Sequence, residues 1–409
     1  MTASRKRRIV YANHTGRVSG AEKVLLSMLR GLERSDYEAV VMCPADGDLQ
    51  TALIAEGIPY ATIPTLKARF TWRLDLLFSY AISFVRVMAR MRREIAALDP
   101  DFVHANTLRA GIAATIATIG TGRVVLWHVH DILPRHPLST AIRALAYTSR
   151  RTQIVAVSDA TAVTFKGSLP FGKRVHVIHN GADLSQFPWR TQGEAPLKRE
   201  LGLPASSFLI CAVGQICARK GLRELLDAFS QIHQNATHLH LAIIGKPVFE
   251  HEEQYLSALL AQVNANGLAD RVHFTGERRD IAAVMQSADL MVLNSREEPF
   301  GLVLVEAMSC GTPVLATRVG GIPEIVTDGE TGWLIDKGDA SALALKLAEL
   351  SQRPDLLEQV SRVAKKTVCP RFSIEQFLTR LHAFYAQLPA MRNPAREISP
   401  TVTSGQRSK

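Results

Sequence analysis

The chain has 409 residues, of which 47% are hydrophobic and 21% charged, with a formal net charge of +10. That length exceeds what one hydrophobic core supports, so two domains of somewhat under ~200 residues each are expected; the composition excludes collagen-like, disordered and membrane-spanning classes. Residues 1–185 hold 24 Lys and Arg against 14 Asp and Glu, whereas 186–409 hold 24 of each; the excess points either to an anionic partner for the first half, such as a lipid phosphate or acidic membrane surface, or to plain solubility charge.

In chain order, the basic start, Met1 to Arg8, leads into the short apolar run Ile9-Val10-Tyr11-Ala12 and not into an apolar segment of signal-peptide length, so no signal peptide is expected. Strands are predicted over 8–12, 38–43, 101–104, 124–128, 153–157 and 175–178, alternating with helical patterns, which implies parallel βαβ units. After the first strand, Asn13 to Glu22 forms a loop before an amphipathic helix; Ser19 and Gly20 are small enough for backbone amides there to approach a phosphate or sugar. Asp46-Gly47-Asp48 reads as a turn and not as a metal-binding acidic pair. A helix over 72–95 carries a narrow polar stripe, Asp75, Ser79, Ser83, Arg86, Arg90 and Arg93. It is either buried in its domain, the preferred reading, or rests on a membrane with Arg69, Arg73, Arg92 and Arg93 at the headgroups. Its charges argue against a membrane span. His104 ends one strand and is expected to cap or line a cleft, and His128-Val129-His130-Asp131 ends another. The two histidines lack the companions of a metal site, so no metal is expected.

The turn Asn180-Gly181-Ala182-Asp183 marks a domain boundary. A second strand series follows over 208–213, 239–244, 272–275, 290–293, 313–316 and 332–335, giving a second doubly wound sheet. The first of these strands runs into Gly214-Gln215-Ile216-Cys217-Ala218-Arg219-Lys220-Gly221, at the strand end where such sheets bind ligands. Arg219 and Lys220 there offer a guanidinium fork and a point charge to a diphosphate. Further on, Glu298-Pro299-Phe300-Gly301-Leu302 precedes a helix containing Glu306. Pro299 and Gly301 delay the helix start and leave the amides of Phe300, Gly301 and Leu302 facing outward. Eight helical residues rise about 12 Å, so Glu298 and Glu306 span a ligand and do not form a close acid–base dyad. A last helix is predicted over 373–386, and the polar residues from 389 onward are expected to be disordered. Five scattered cysteines without metal-ligand spacing fit a reduced, cytoplasmic setting.

The ordered string Glu298-Pro299-Phe300-Gly301, Glu306, Gly311-Thr312-Pro313-Val314 and Gly320-Gly321-Ile322-Pro323-Glu324 resembles the retaining glycosyltransferases of family 4, whose motif is Glu-x7-Glu and whose fold is GT-B. The resemblance implies two Rossmann-like α/β domains of doubly wound parallel sheet facing across a cleft: 1–185 on the acceptor side, 186–370 binding the nucleotide sugar, a helix over 371–388 crossing back to the first, and a tail over 389–409. It implies that Glu306 holds the ribose and that Glu298 with the Phe300–Leu302 amides holds the hexose. Lys220, Arg219 and the Ser19-Gly20 and Gly214 loops are then expected to meet the diphosphate, and His130 the transferred sugar or the backbone at the reaction centre. Gln215 stands where the family usually has arginine.

The implied reaction moves a hexose from a nucleotide-diphosphate sugar, a co-substrate and not a cofactor, to a glycan or lipid-linked acceptor in bacterial cell-surface polysaccharide or lipopolysaccharide synthesis. The expected setting is cytoplasmic, with peripheral contact on the inner membrane face and no nucleic-acid partner. Alternatives are a sugar phosphorylase or nucleotide-sugar epimerase on the same plan, or a catalytically silent nucleotide-sugar-binding scaffold.

Overall fold

Short runs of β-branched and apolar residues build two separate sheets in the computed structural model, which describes residues 6–66, 74–149, 151–166, 174–191, 193, 195–234 and 236–389 but not the side chains of 74–79, 81 and 148. The first sheet contains β1 (Arg7–Ala12), β2 (Tyr37–Cys43), β3 (Tyr60–Thr62), β4 (Phe102–Ala105), β5 (Val124–Val129), β6 (Thr152–Ala156) and β7 (Val175–Val177). The second contains β8 (Phe208–Val213), β9 (Leu239–Ile244), β10 (Val272–Gly276), β11 (Leu290–Leu293), β12 (Val314–Thr317) and β13 (Trp333–Ile335). Their orders are β3-β2-β1-β4-β5-β6-β7 and β10-β9-β8-β11-β12-β13, and every pairing is parallel. Each order reverses beside the first strand of its sheet, so the loops after β1 and β4, and after β8 and β11, diverge at the carboxyl edge. β3 was not foreseen, because a three-residue edge strand with exposed Tyr60 and Thr62 carries too little apolar pattern to register.

The chain divides into two compact units, one comprising residues through Val157, Thr161–Ile178 and Leu378 onward, the other Ser158–Ala160 with His179–Phe377. In the first, Val10, Ala12, Val103, Ala105, Val125, Trp127 and Val129 point into one core. The residues between them in sequence, Tyr11, Phe102, His104 and His128, are fully buried on the opposite face. In the second unit the strongly amphipathic helix Leu222–Ile232 sets Leu225, Leu226 and Phe229 against Ile210, Leu241, Ile243 and Val292.

The final helix, Ile374–Gln387, passes from the second unit into the first. Its later residues seal the face that bears Tyr11 and His104: Tyr385 is buried against Phe102 with ring centroids 5.0 Å apart, and Arg7 Nη1 donates to the Tyr385 carbonyl at 2.7 Å. The domain-boundary turn is bound to the segment before this helix, Ala182 N donating to Phe372 O and Ile374 N to Ala182 O. Gly181 has no room there for a side chain, since a Cβ would meet Ser373 O at 2.5 Å.

Among its described side chains, the long helix Leu74–Leu98 is less buried than its narrow polar stripe indicated. Val87, Met91 and Ile95 enter the core, whereas Ile82 and Val85 are exposed. Arg92, a candidate headgroup ligand, instead donates to the carbonyls of Ala117 and Ile119. Arg69, Arg73 and the tail from 390 lie outside the described residues. No helix among the described residues is long and apolar enough to cross a membrane.

Leu225 is fully buried, whereas Leu345 is 73% exposed. Leu225→Ala is therefore expected to lower unfolding free energy by about 2–5 kcal/mol and Leu345→Ala by less than about 0.5 kcal/mol, as read from urea denaturation midpoints.

Candidate active site

Close backbone approaches at glycine assemble the site in the second unit. Gly214, at the end of β8, has φ 152°, and a Cβ on Gly245 after β9 would fall 1.8 Å from its carbonyl oxygen. The one-turn helix Ala218–Lys220 ends in left-handed Gly221 (φ 62°), where a Cβ would lie 2.0 Å from Asn294 O. Asn294 Nδ2 also donates to Gly221 O at 2.8 Å. This tight seam between the loops after β8 and β11 delivers Lys220 to Glu298, Nζ to Oε2 at 2.6 Å, with Ser295 Oγ donating to the same oxygen at 3.1 Å. The pair is largely shielded from solvent, so removing one partner leaves an uncompensated charge.

Beyond Glu298 the chain turns through left-handed Gly301 (φ 98°), which begins the helix Leu302–Cys310. The amides of Phe300, Gly301 and Leu302 have no hydrogen-bond acceptor among the described residues, as a delayed helix start requires. The Phe300 ring is buried between His179 and Phe372, with centroids 5.7 and 5.5 Å away, so it anchors the loop. Glu306 is half-buried one turn further on. Burial, and after it the Glu306 carboxylate, pushes the Cys310 thiol up to about 12.

Neither Arg219 nor Gln215 bonds to the Glu298 carboxylate. Arg219 is exposed and donates to Glu297 O at 3.3 Å. Gln215 Nε2 donates to both oxygens of buried Glu252, at 2.6 and 2.8 Å, and that carboxylate also accepts the amides of Val248 and Phe249. Lys220 is thus the cation that the loop after β8 brings to Glu298. The Gln215–Glu252 clasp spans 37 residues and has no sequence signature.

In the first unit, buried Glu22 organises the loop after β1. It accepts from Asn13 Nδ2 at 3.1 Å, Ser19 N at 3.0 Å and the Ser19 hydroxyl. The Ser19 amide, expected to approach a ligand, is therefore already used, whereas a Cβ on Gly20 would meet only open space. Ser19-x-x-Glu22 is a legible helix-start pattern. Asp48, from the predicted turn, holds the same loop by accepting Val18 N at 2.9 Å. Buried Asn106, after β4, donates to Asn13 Oδ1 at 3.2 Å, and His14 Nδ1 lies 2.8 Å from Thr107 Oγ1.

His130 ends a seam of imidazoles. Its ring centroid is 4.3 Å from that of His128, which is 5.2 Å from that of His104. His104 is wholly buried and lines no cleft: its Nδ1 is 2.5 Å from Tyr385 Oη. The Nε2 atoms of His104 and His130 are buried without a hydrogen-bond partner among the described residues. Burial drives these rings toward the neutral form, His104 down to about 3 and His130 to about 4, with His128 also well below the usual histidine value.

Asp159, His179 and Glu324 bring three potential metal-binding atoms together, and hydrogen bonds hold two of these side chains, Glu324 and His179. Glu324 accepts from Asp159 N at 2.9 Å and Ala160 N at 3.0 Å, and its Oε2 is 2.8 Å from His179 Nε2. These bonds hold the Glu324 carboxyl below the usual carboxylate range against its burial.

Two doubly wound parallel sheets, a glycine-started helix with open amides and a lysine–carboxylate pair at the carboxyl edge define the GT-B class of α/β protein. Consecutive stretches match two family models, Glycosyltransferase Family 4 over residues 18–186 and Glycosyl transferases group 1 over 194–367. The chain belongs to the family 4 glycosyltransferases. N-acetyl-alpha-D-glucosaminyl L-malate synthase from Bacillus anthracis is 31% identical over 52% of this chain and 54% of that protein; the chain thus spans about half the length of such curated relatives. Putative glycosyltransferase EpsD from Bacillus subtilis is 26% identical over 76% of this chain and 83% of that protein. Among solved structures, Anabaena Alr3699/HepE in complex with UDP-glucose has a TM-score of 0.79 and 27% identity, covering 93% of this chain and 100% of that one.

The neutral buried histidines link stability to pH. Their folded values lie below the ordinary 6.5, so the unfolded chain binds protons first as pH falls. Stability is full above about 6.5 and declines toward pH 4 by up to ~1.4 kcal/mol per pH unit per histidine. The melting temperature is expected to be lower at pH 5 than at pH 7; an unchanged value would contradict the buried neutral seam.

Proposed function

We propose that the protein is a retaining glycosyltransferase that moves a hexose from a nucleotide-diphosphate sugar to a glycan or lipid-linked acceptor. The observation that carries this reading is the Lys220–Glu298 pair, 2.6 Å apart, beside the open amides of Phe300, Gly301 and Leu302. A sugar diphosphate offers complementary chemistry: hydroxyls that donate to a carboxylate and accept from amides, and an anion that requires a cation. The UDP-glucose in the Anabaena structure is a ligand of this class.

In the proposed reaction the bond from the anomeric carbon to the diphosphate oxygen breaks while the acceptor oxygen bonds to the same face of that carbon. The acceptor's hydroxyl proton passes to the departing phosphate. Lys220 offsets the charge that grows on the diphosphate, and Glu298 with the amides of Phe300–Leu302 fixes the hexose. Glu306 holds the ribose, Gly214 and Gly20 admit the phosphates, and His130 hydrogen-bonds the transferred sugar. Positioning and electrostatic stabilisation are then the main catalytic contributions. The α linkage in the name of the Bacillus anthracis relative is what retention gives from an α-linked donor. The basic first half supports an anionic or membrane-held acceptor, and cell-surface glycan synthesis at the inner membrane face is the setting we assign.

A second reading, a donor-binding protein without turnover, draws on Gln215, which stands where the family usually has arginine and is held by Glu252. Release of nucleoside diphosphate with net transfer separates transferase from phosphorylase, epimerase and silent binder alike.

Two measurements test the transferase reading. In a thermal-shift screen, a matching uridine or guanosine diphosphate sugar at 100 times its Kd should stabilise the protein by about 2.7 kcal/mol. With that donor, Glu298→Gln and Lys220→Met should each lower kcat/KM by about 100-fold or more, judged at a temperature where both variants remain folded. Turnover within a few-fold of wild type would remove the site as drawn.

A further inference from the structure

The aromatic seam on the covered face of the first sheet links the last helix to His130. Tyr385 is fully buried, and its hydroxyl lies 2.5 Å from His104 Nδ1 and 3.2 Å from Tyr11 Oη. His104 stands edge-on to His128, at an interplanar angle of 64°, and His128 lies tilted against His130. β1, β4, β5 and the last helix thus each contribute a ring. A phenol is a better hydrogen-bond donor than a neutral imidazole, so the Tyr385 O–H donates to Nδ1 and the His104 hydrogen resides on Nε2, which has no hydrogen-bond partner among the described residues. The edge-on contact of the His104 and His128 rings depends on which His104 nitrogen carries the hydrogen.

We propose that Tyr385 is a positioning residue for His130. Its hydroxyl selects the His104 tautomer, and the His104–His128–His130 stack carries that choice to the ring at the end of β5. The inference rests on the role given to His130 above. It assigns the last helix a part in setting reaction geometry in addition to covering the sheet.

A double-mutant cycle on transfer kinetics tests this, using Tyr385→Phe, His130→Ala and both together. Tyr385→Phe should lower kcat five- to twenty-fold with donor KM unchanged, and should have no further effect in the His130→Ala background. It should also move the His104 side-chain nitrogen resonances toward the other tautomer. Tyr11→Phe, which leaves the Tyr385–His104 bond in place, should keep kcat within two-fold. If Tyr385→Phe does not fold, His104→Gln takes its place in the cycle with the same expected non-additivity. An equal loss in both backgrounds, or unchanged nitrogen resonances, would overturn the positioning role. A His130→Ala enzyme with normal turnover would instead overturn the role of His130.

Discussion

The seam where Gly221 meets Asn294 is the constraint on which the candidate site depends. A Cβ at Gly221 would overlap the Asn294 carbonyl at 2.0 Å, so only glycine lets the loops after β8 and β11 come together. That approach places the Lys220 ammonium on the Glu298 carboxylate in a largely buried position. An ion pair withdrawn from water costs desolvation that attraction only partly offsets, so such a pair is weak evidence for stability and better evidence for function. A ligand presenting hydroxyls and a diphosphate satisfies both charges and the adjacent open amides together.

The first unit uses a different device. Its loop after β1 is held by hydrogen bonds converging on Glu22, with Asp48, just before the helix Leu49–Ala55, fastening the same loop. A buried carboxylate that accepts several N–H and O–H bonds is well satisfied. It fixes the loop while leaving Gly20 open. Below it, the imidazole seam keeps three histidines neutral in the interior, where protonation of any one would place an unsolvated charge beside the others.

Much of this was legible in the residues because parallel strands buried on both faces are short continuous apolar runs. β8, β9 and β11 coincide with the predicted segments, while β3, exposed and three residues long, left no such run. The Pro299-Phe300-Gly301 delay before a helix was equally readable, since glycine and proline act locally. Pairings between distant side chains were not. Nothing in the sequence says that Gln215 will be clasped by Glu252, that Arg219 will turn to Glu297 O, or that His104 will meet Tyr385, 281 residues away. The family resemblance supplied roles for Ser19 and Arg219, and local geometry adds partners that the residues did not announce: the Ser19 amide bonds to Glu22, and the exposed Arg219 guanidinium to Glu297 O.

The central claim, that Lys220, Glu298 and the amides of Phe300–Leu302 together grip an activated sugar, is tested most directly by a crystal structure of the protein with a non-hydrolysable nucleotide-diphosphate hexose. The account predicts hexose hydroxyls within hydrogen-bond distance of the Glu298 carboxylate and those amides, with a diphosphate oxygen on Lys220 Nζ. A ligand seated elsewhere, with the Lys220–Glu298 pair untouched, would contradict it.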